Sequence, residues 1–271
     1  HGYEIGEYLA RHPNVDMVSF TGSTNAGIAV SHAAADSIKR VTLELGGKSA
    51  NVALDDADPV LVVKKALAAC HQNSGQTCSA LTRLIIPESM KDEVYNLIKA
   101  KNDSYTVGNP LDDKTRCGPM VSKNQQASVT KYIDIGIKEG ATLISGGLGM
   151  PEGIETGFFV KPTIFGDVTS EMTIWKEEIF RPVLAITTYN NEAEALNLAN
   201  DSIYGLSGGV WSESEERAIE FAKGMRTGQV SINGGFFNVT APFGGYKLSG
   251  NGRELGVHGL NEFLEIKSIQ R

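Results

Sequence analysis

The sequence predicts an α/β fold with a largely parallel sheet. Short apolar runs alternate with helix-periodic segments from one end to the other. Glycine, proline or a small polar residue marks nearly every switch between them. No internal repeat and no low-complexity tract interrupts the pattern.

The elements read in order. A short helix over Gly6–Arg11 leads through a proline turn into a strand, Val15–Phe20. That strand stops at Thr21-Gly22-Ser23-Thr24, and a small-residue helix follows over Ala26–Ala35. Arg40–Leu45 reads as a strand closed by Gly46-Gly47, and Asn51–Leu54 as another. Asp58-Pro59 is a helix start, a capping carboxylate followed by proline at the first helical position. This helix runs to about Asn73 with Val63, Leu67 and Cys70 on one face. The polar segment Asn73–Ser79 breaks it. Thr82–Ile86 is a strand and Ser89–Lys101 a helix, then a loop holds Gly108–Ser122. Lys123–Glu139 is a helix striped by Val129, Ile133 and Ile137. Ala141–Ser145 is a strand and Phe158–Phe165 an extended run containing Pro162. Val183–Tyr189, Asn191–Asn200, Gly209–Ser212, Glu213–Met225 and Gln229–Asn233 give strand, helix, strand, helix, strand. Gly234–Arg253 is linker-like and joins two lobes. The tail Phe263–Ile269 alternates as a final strand would. Residue 1 is His, and the opening reads like the inside of a domain, so the N-terminal part is expected to be absent or on another chain.

Composition narrows the function. The 271 residues are 41% hydrophobic and 21% charged, which excludes a disordered tail. No apolar run is long enough for a membrane span. The net charge of -7, with no block of Lys or Arg, argues against nucleic acid as a partner. Three cysteines, Cys70, Cys78 and Cys117, fit a reducing, cytoplasmic compartment better than a disulfide framework. No CxxC or HExxH string appears, so no metal site is expected.

Three positions carry chemistry. Cys78 sits in a glycine-bearing break at the end of a long helix, which would present a thiol to a cleft beside free backbone N–H groups. A nucleophilic role asks for a lowered pKa, and a structural cysteine is the common alternative. Cys70 belongs to the core. Cys117, in a loop beside Arg116, would be mildly reactive. Glu44 ends a strand, where a carboxylate faces the ligand crevice of a parallel sheet and would serve as general base once burial raises its pKa. A solvated strand-end Glu is the plain alternative. Gly22-Ser23-Thr24-Asn25-Ala26-Gly27 joins strand to helix and would offer a helix N-terminus to phosphate, although Thr24 stands where GxGxxG would have glycine. Trp175, Trp211 and Tyr189 read as packing. Phe236 and Phe237 are substrate-loop candidates, and the five His residues read as surface or satisfied.

Taken together, six motifs change this picture. Phe20-Thr21-Gly22-Ser23, Leu43-Glu44-Leu45-Gly46-Gly47-Lys48, Gly75-Gln76-Thr77-Cys78, Glu177-Glu178-Ile179-Phe180, Pro242–Lys247 and Ser249–Glu254 follow in one register. The chain resembles the C-terminal part of the NAD(P)-dependent aldehyde dehydrogenase superfamily over essentially its whole length. The resemblance implies a three-layer, mainly parallel catalytic domain over 46–245, the end of a Rossmann-like cofactor domain over 1–45, and a return segment with oligomerisation strand over 246–271. It implies that Cys78 is the nucleophile and Glu44 the base that hydrolyses its thioester. Gly22 and Ser23 would lie at the cofactor pyrophosphate, and Leu45 and Gly46 beside the nicotinamide. Glu178 would hold the nicotinamide ribose and Phe180 pack against the ring. The cofactor would be NAD or NADP, the substrate an aldehyde, and the assembly a homodimer or homotetramer. Arg181 stands where the family usually has glycine, and would strain the turn if that position needs an unusual backbone. The second oxyanion donor and the adenosine site have no counterpart here, so the isolated chain is expected to be inactive. A cofactor-free thiol hydrolase or acyltransferase, and an oligomerising module without activity, are the competing readings.

Overall fold

A computed structural model describes residues 2–271. Strands β1 (Met17–Thr21) and β2 (Arg40–Glu44) run parallel on either side of α2 (Thr24–Ala35), and α1 (Glu7–Arg11) precedes them. Six strands then alternate with helices in chain order: β3 (Ser49–Ala53), α3 (Pro59–His71), β4 (Leu81–Pro87), α4 (Lys91–Asp103), α5 (Lys123–Lys138), β5 (Thr142–Ser145), β6 (Thr163–Gly166), α6 (Thr173–Lys176), β7 (Val183–Tyr189), α7 (Glu192–Asn200) and the two-residue β8 (Tyr204–Gly205). β9 (Gly208–Trp211), α8 (Glu215–Gly224), β10 (Ser231–Ile232), β11 (Tyr246–Lys247), β12 (Gly250–Asn251) and α9 (Gly256–Glu262) complete the chain.

The main sheet has the order β10-β9-β3-β4-β7-β6-β5. Every pairing in it is parallel except β5 with β6. Successive side chains of a strand point to opposite faces, and both faces are covered here. Leu84, Ile86, Leu184 and Ile186 pack toward Val63, Leu67, Cys70, Val94 and Ile98 of α3 and α4. Ile85, Ala185, Val52 and Val210 pack toward Val129, Ile133, Ala195 and Phe221 of α5, α7 and α8. The result is the three-layer arrangement expected from the sequence. The second, smaller sheet is β1-β2-β12, in which Gly250 and Asn251 return antiparallel to Glu44 and Leu43. The linker-like segment Gly234–Arg253 thus carries the chain from the edge of one sheet to the other.

Local rules set the helix starts. The Asp58 carboxylate accepts from the N–H groups of Val60 (2.8 Å) and Leu61 (3.3 Å), with Pro59 at the first position. Ser23, Ser122, Asn191 and Ser214 cap α2, α5, α7 and α8 in the same way.

Some expectations fail. The tail Phe263–Ile269 forms no strand among the described residues, and Leu264, Ile266 and Ile269 are exposed. Its alternation supplies strand propensity, but a strand needs a ladder partner, and none pairs with it among the described residues. Arg40 holds the segment instead, donating to the Glu262 and Leu264 carbonyls. Ile137 faces solvent; the buried stripe of α5 is Val129, Ile133 and Gly136. Gly136 sits against Ile174 and Phe165, where a larger side chain would have taken Ile137's expected place. Cys117 is buried rather than exposed in its loop, and burial pushes its thiol up to about 12.

Candidate active site

Glu44 closes β2 and is almost wholly buried. Its backbone carbonyl accepts from Gly22 N–H (3.0 Å), which seats the β1–α2 turn against the end of β2. Ser23 Oγ caps α2 by accepting from Ala26 N–H (3.3 Å), and the helix N-terminus is presented beside that turn. Helix α2 reaches Leu45 at Gly27, where a Cβ would lie 2.7 Å from Leu45 Cδ2. Leu45 N–H donates to the Ser249 carbonyl (2.9 Å), and Ser249 Oγ donates to the Gly46 carbonyl (2.6 Å).

Gly46 and Gly47 are the junction. A Cβ on Gly46 would lie 2.1 Å from Glu178 Oε2, and Glu178 Oε1 accepts from Gly47 N–H (3.0 Å). A Cβ on Gly47 would lie 2.6 Å from the Cys78 carbonyl oxygen. One glycine pair, two and three residues after Glu44, therefore touches both the Glu178 carboxylate and the Cys78 backbone. The cysteine loop is shaped by left-handed Asn73 (φ 48) and Ser74 (φ 54). At Gly75 it meets the backbone of Arg181, whose carbonyl carbon would be 2.1 Å from a Cβ there. Seven of the residues expected at the site lie in this connected set, and Phe180 follows Glu178 in the segment that meets Gly75 at Arg181. Gly22, Glu44, Leu45 and Gly46 come from the β2 corner with Ser23, Cys78 from the turn after α3, and Glu178 and Phe180 from the segment before β7.

The electrostatics are less simple than the sequence reading. Burial pushes Glu44 up to about 8, the Glu254 carboxylate adds to this, and Arg253 opposes it. Glu44 Oε2 has no hydrogen-bond partner. Glu254 and Arg253 lie in a motif the sequence singled out, yet no spacing rule could show that they face Glu44. Cys78 is half-buried, and its thiol is raised rather than lowered, first by burial and then by the Glu178 charge; the Ser79 and Cys78 N–H groups pull it back. The expectation of a depressed thiol thus fails, because burial raises it and the Glu178 and Glu44 charges add to that. Glu178 is itself raised by burial, against the pull of Gly47 N–H and Lys48. Lys48 is buried with no partner for Nζ, and burial lowers it to about 7.

Two checks follow. Iodoacetamide should label Cys78 and leave Cys70 and Cys117 unmodified in the folded chain, since the latter two are buried with thiols near 12. Peptide mass spectrometry reads this, and the Cys78 rate should keep rising above pH 9. The second check uses stability. A carboxyl group raised from 4.5 to about 8 leaves the folded state unburdened below pH 4.5, with a penalty that grows between pH 4.5 and 8 and stays constant above. Glu44→Gln should therefore gain Tm over the native chain at pH 9 and gain little at pH 5.

Other candidates are placed as well. Trp175 is fully buried beneath the Arg83 guanidinium (4.6 Å), and Trp211 and Tyr189 are core residues, as expected. Phe236 is 98% exposed, and Phe237 packs edge-on against Phe243. The expected strain at Arg181 falls elsewhere: Phe180 takes the left-handed conformation (φ 60), and Arg181 does not. Among the described residues no group of His, Cys, Asp or Glu is arranged to hold a metal, and no helix is long and apolar enough to cross a membrane.

Comparison with known proteins gives the family. The chain is 53% identical over 268 residues to a Pseudomonas 3-succinoylsemialdehyde-pyridine dehydrogenase, covering 99% of this chain and 56% of that protein. It superposes on aldehyde dehydrogenase C of Pseudomonas syringae, crystallised with NAD+ and octanal, with a TM-score of 0.96 and 46% identity, over 98% of this chain and 55% of that one. An aldehyde dehydrogenase of Bartonella henselae matches at a TM-score of 0.95 and 42% identity, over 98% and 56%. The chain thus spans about half the length of these relatives. Residues 1–269 match the model of the aldehyde dehydrogenase family, and the chain belongs to that family.

Proposed function

We propose that the protein to which this chain belongs oxidises an aldehyde to a carboxylic acid with NAD or NADP. The observation that carries this is the Gly46-Gly47 junction, which packs the Glu178 carboxylate and the Cys78 backbone together two and three residues after the buried Glu44, with both carboxylates close enough to act on the half-buried thiol. The cofactor fits these residues. A side chain on Gly46 would fill the space beside Glu178, and the bare approach leaves that carboxylate free to accept two ribose hydroxyls. Gly22 and Ser23 supply a helix N-terminus for the pyrophosphate, and Leu45, Gly46 and Phe180 supply an apolar wall for a flat ring. When bound, the oxidised cofactor would supply the acceptor for the hydride.

The chain's own residues account for the remaining steps. Cys78 Sγ, as thiolate, adds to the aldehyde carbon and gives a thiohemiacetal oxyanion, which the Cys78 N–H stabilises. Loss of hydride from that carbon leaves a thioester on Cys78. Glu44 takes a proton from water, the oxygen bonds to the acyl carbon, and the C–S bond breaks to release acid and thiolate. Because Glu44 titrates near 8, this hydrolysis should speed up as pH rises through 8. A cofactor-free thiol hydrolase would have no use for Glu178 gripped by Gly47. Residues 1–45 and 246–271 then complete the cofactor side, 46–245 form the catalytic domain, and the exposed tail pairs subunits of a homodimer or homotetramer.

The test is absorbance at 340 nm with aldehyde and NAD+. The isolated chain should give none, and steady NADH from it would overturn the proposed division of the site. Joined behind the remaining half of the Pseudomonas syringae enzyme, the chain should turn over. Glu44→Gln in that chimera should stop after one NADH per subunit, and Cys78→Ser should give no NADH at all.

A further inference from the structure

A cavity of about 490 Å³ opens beside the cysteine loop, between α3 and strands β3, β9 and β10 of the main sheet. Asn51, Lys65, His71, Tyr105, Arg116 and Trp211 are among the residues that line it, and no Asp or Glu does. Gln72 and Asn73 of the cysteine loop form part of its wall, so it adjoins the site already described. No step of the proposed reaction uses its polar groups.

Two of those groups are buried and incomplete. Asn51 is fully buried, and its Oδ1 accepts from Trp211 Nε1 (2.6 Å). An indole N–H only donates, so the amide orientation is fixed and Nδ2 is the group left without an acceptor. His71 is also buried. Its Nε2 faces Asn102 Oδ1 (2.8 Å), while Asn102 Nδ2 donates to Ser145 Oγ (2.8 Å) and the Pro162 carbonyl (2.9 Å). The Asn102 oxygen must accept, so His71 Nε2 donates and Nδ1 keeps a bare lone pair. Burial lowers His71 to about 4, which leaves the ring neutral. A buried donor without an acceptor is costly, and protein interiors seldom leave one so.

The charge of the cavity is one-sided. The Lys65 and Arg116 side chains have no ion-pair partner among the described residues. The C-terminal end of α3 points the other way, but a helix end is worth only about half a negative charge against two full positive ones. Glycines keep the wall open: a Cβ on Gly209 would lie 2.7 Å from Asn51 Oδ1, and one on Gly234 2.7 Å from Trp211 Cη2.

We propose that this cavity binds a carboxylate, and that the aldehyde's non-reacting end is therefore anionic: the semialdehyde of a short dicarboxylic acid. Arg116 and Lys65 hold the carboxylate oxygens, Asn51 Nδ2 donates to the same carboxylate, and His71 Nδ1 accepts a hydrogen bond from a water. The second half of the statement rests on the proposed function; the first does not.

Glutarate, which has no aldehyde, separates the two. Isothermal titration of the full 271-residue chain with glutarate should show one site. Arg116→Gln and Lys65→Gln should each weaken it about tenfold, as loss of a charge-assisted bond does. Cys78→Ser and Lys138→Gln should leave it unchanged. No binding, or binding indifferent to both cavity variants, overturns the carboxylate site. Alkylation of Cys78 then tests the substrate. Succinate semialdehyde should protect the thiol at least tenfold better than butanal, and equal protection overturns the anionic tail. If glutarate binds as expected but no aldehyde protects Cys78, the proposed reaction fails while the carboxylate site stands.

Discussion

Arg83→Met should lower Tm by roughly 10 °C in a chain of this size, as a loss of about 3–5 kcal/mol would. Arg83 is buried in β4 and spends its guanidinium on four backbone carbonyls. Nε donates to Lys48 O (2.7 Å); the two terminal nitrogens donate to Leu198 (2.9 Å), Ala199 (2.8 Å) and Asp201 (3.1 Å). Three of those carbonyls are at the end of α7, where the last turn lacks helical N–H partners and Leu198 O keeps only the capping Asp201 N–H (3.3 Å). Methionine fills much of the same volume but donates nothing, so four acceptors lose their donor at about 1–3 kcal/mol for each one left buried and unmet. The Arg83–Trp175 stacking is lost as well. Arg83→Lys should fall between, because one ammonium cannot match the planar fork of donors. Thermal melts followed by circular dichroism decide it. A Tm within 2 °C of the native chain would mean that water replaces the guanidinium. The bond to Lys48 also matters for the site. It anchors the residue after Gly47, so the same variant should loosen the junction that touches Glu178 and Cys78.

The sequence alone was enough for the α/β alternation, because strand and helix periods are local properties. β7 matches the expected Val183–Tyr189 residue for residue, and Asp58-Pro59 starts its helix as read. Cys78, Glu44 and the Gly22-Ser23 turn stood out as candidates locally, but the roles proposed for all eight residues came only with the motifs, since such roles depend on contacts between segments far apart in the chain. Gly47 shows why: nothing local marks it as the residue that meets both Glu178 and Cys78. The raised thiol of Cys78 and the push of Glu254 on Glu44 were illegible for the same reason. The tail failed in the opposite direction. Phe263–Ile269 has the pattern of a strand, and pattern alone does not supply the neighbour that a strand requires. Cys117 was misread because a loop in sequence need not lie on the surface; its carbonyl accepts from Gly108 N–H inside the fold.

Arg181→Met should raise Tm by roughly 4–8 °C, the opposite sign to the same substitution at Arg83. Arg181 is fully buried, and Nε and both terminal nitrogens lack any hydrogen-bond partner. Burial lowers it to about 10, with no opposing charge, so it stays a cation at neutral pH. An unpaired buried charge costs several kcal/mol, and replacing buried ions by apolar residues of similar volume gains about 1–4 kcal/mol. Methionine keeps the stem that fills the space and removes only the charge. Arg181→Gly is a weaker test. It deletes the stem and leaves a void, and the backbone gains nothing from glycine because the left-handed residue is Phe180. Arg181 also lies against Gly75, so relief there should reach the cysteine loop and change the rate of Cys78 alkylation. The contrast with Arg83 isolates hydrogen bonding as the cause, since both guanidinium groups are buried and both are charged. If Arg181→Met melts lower than the native chain, the guanidinium has an acceptor in solution, and this departure from the family's glycine is a built contact.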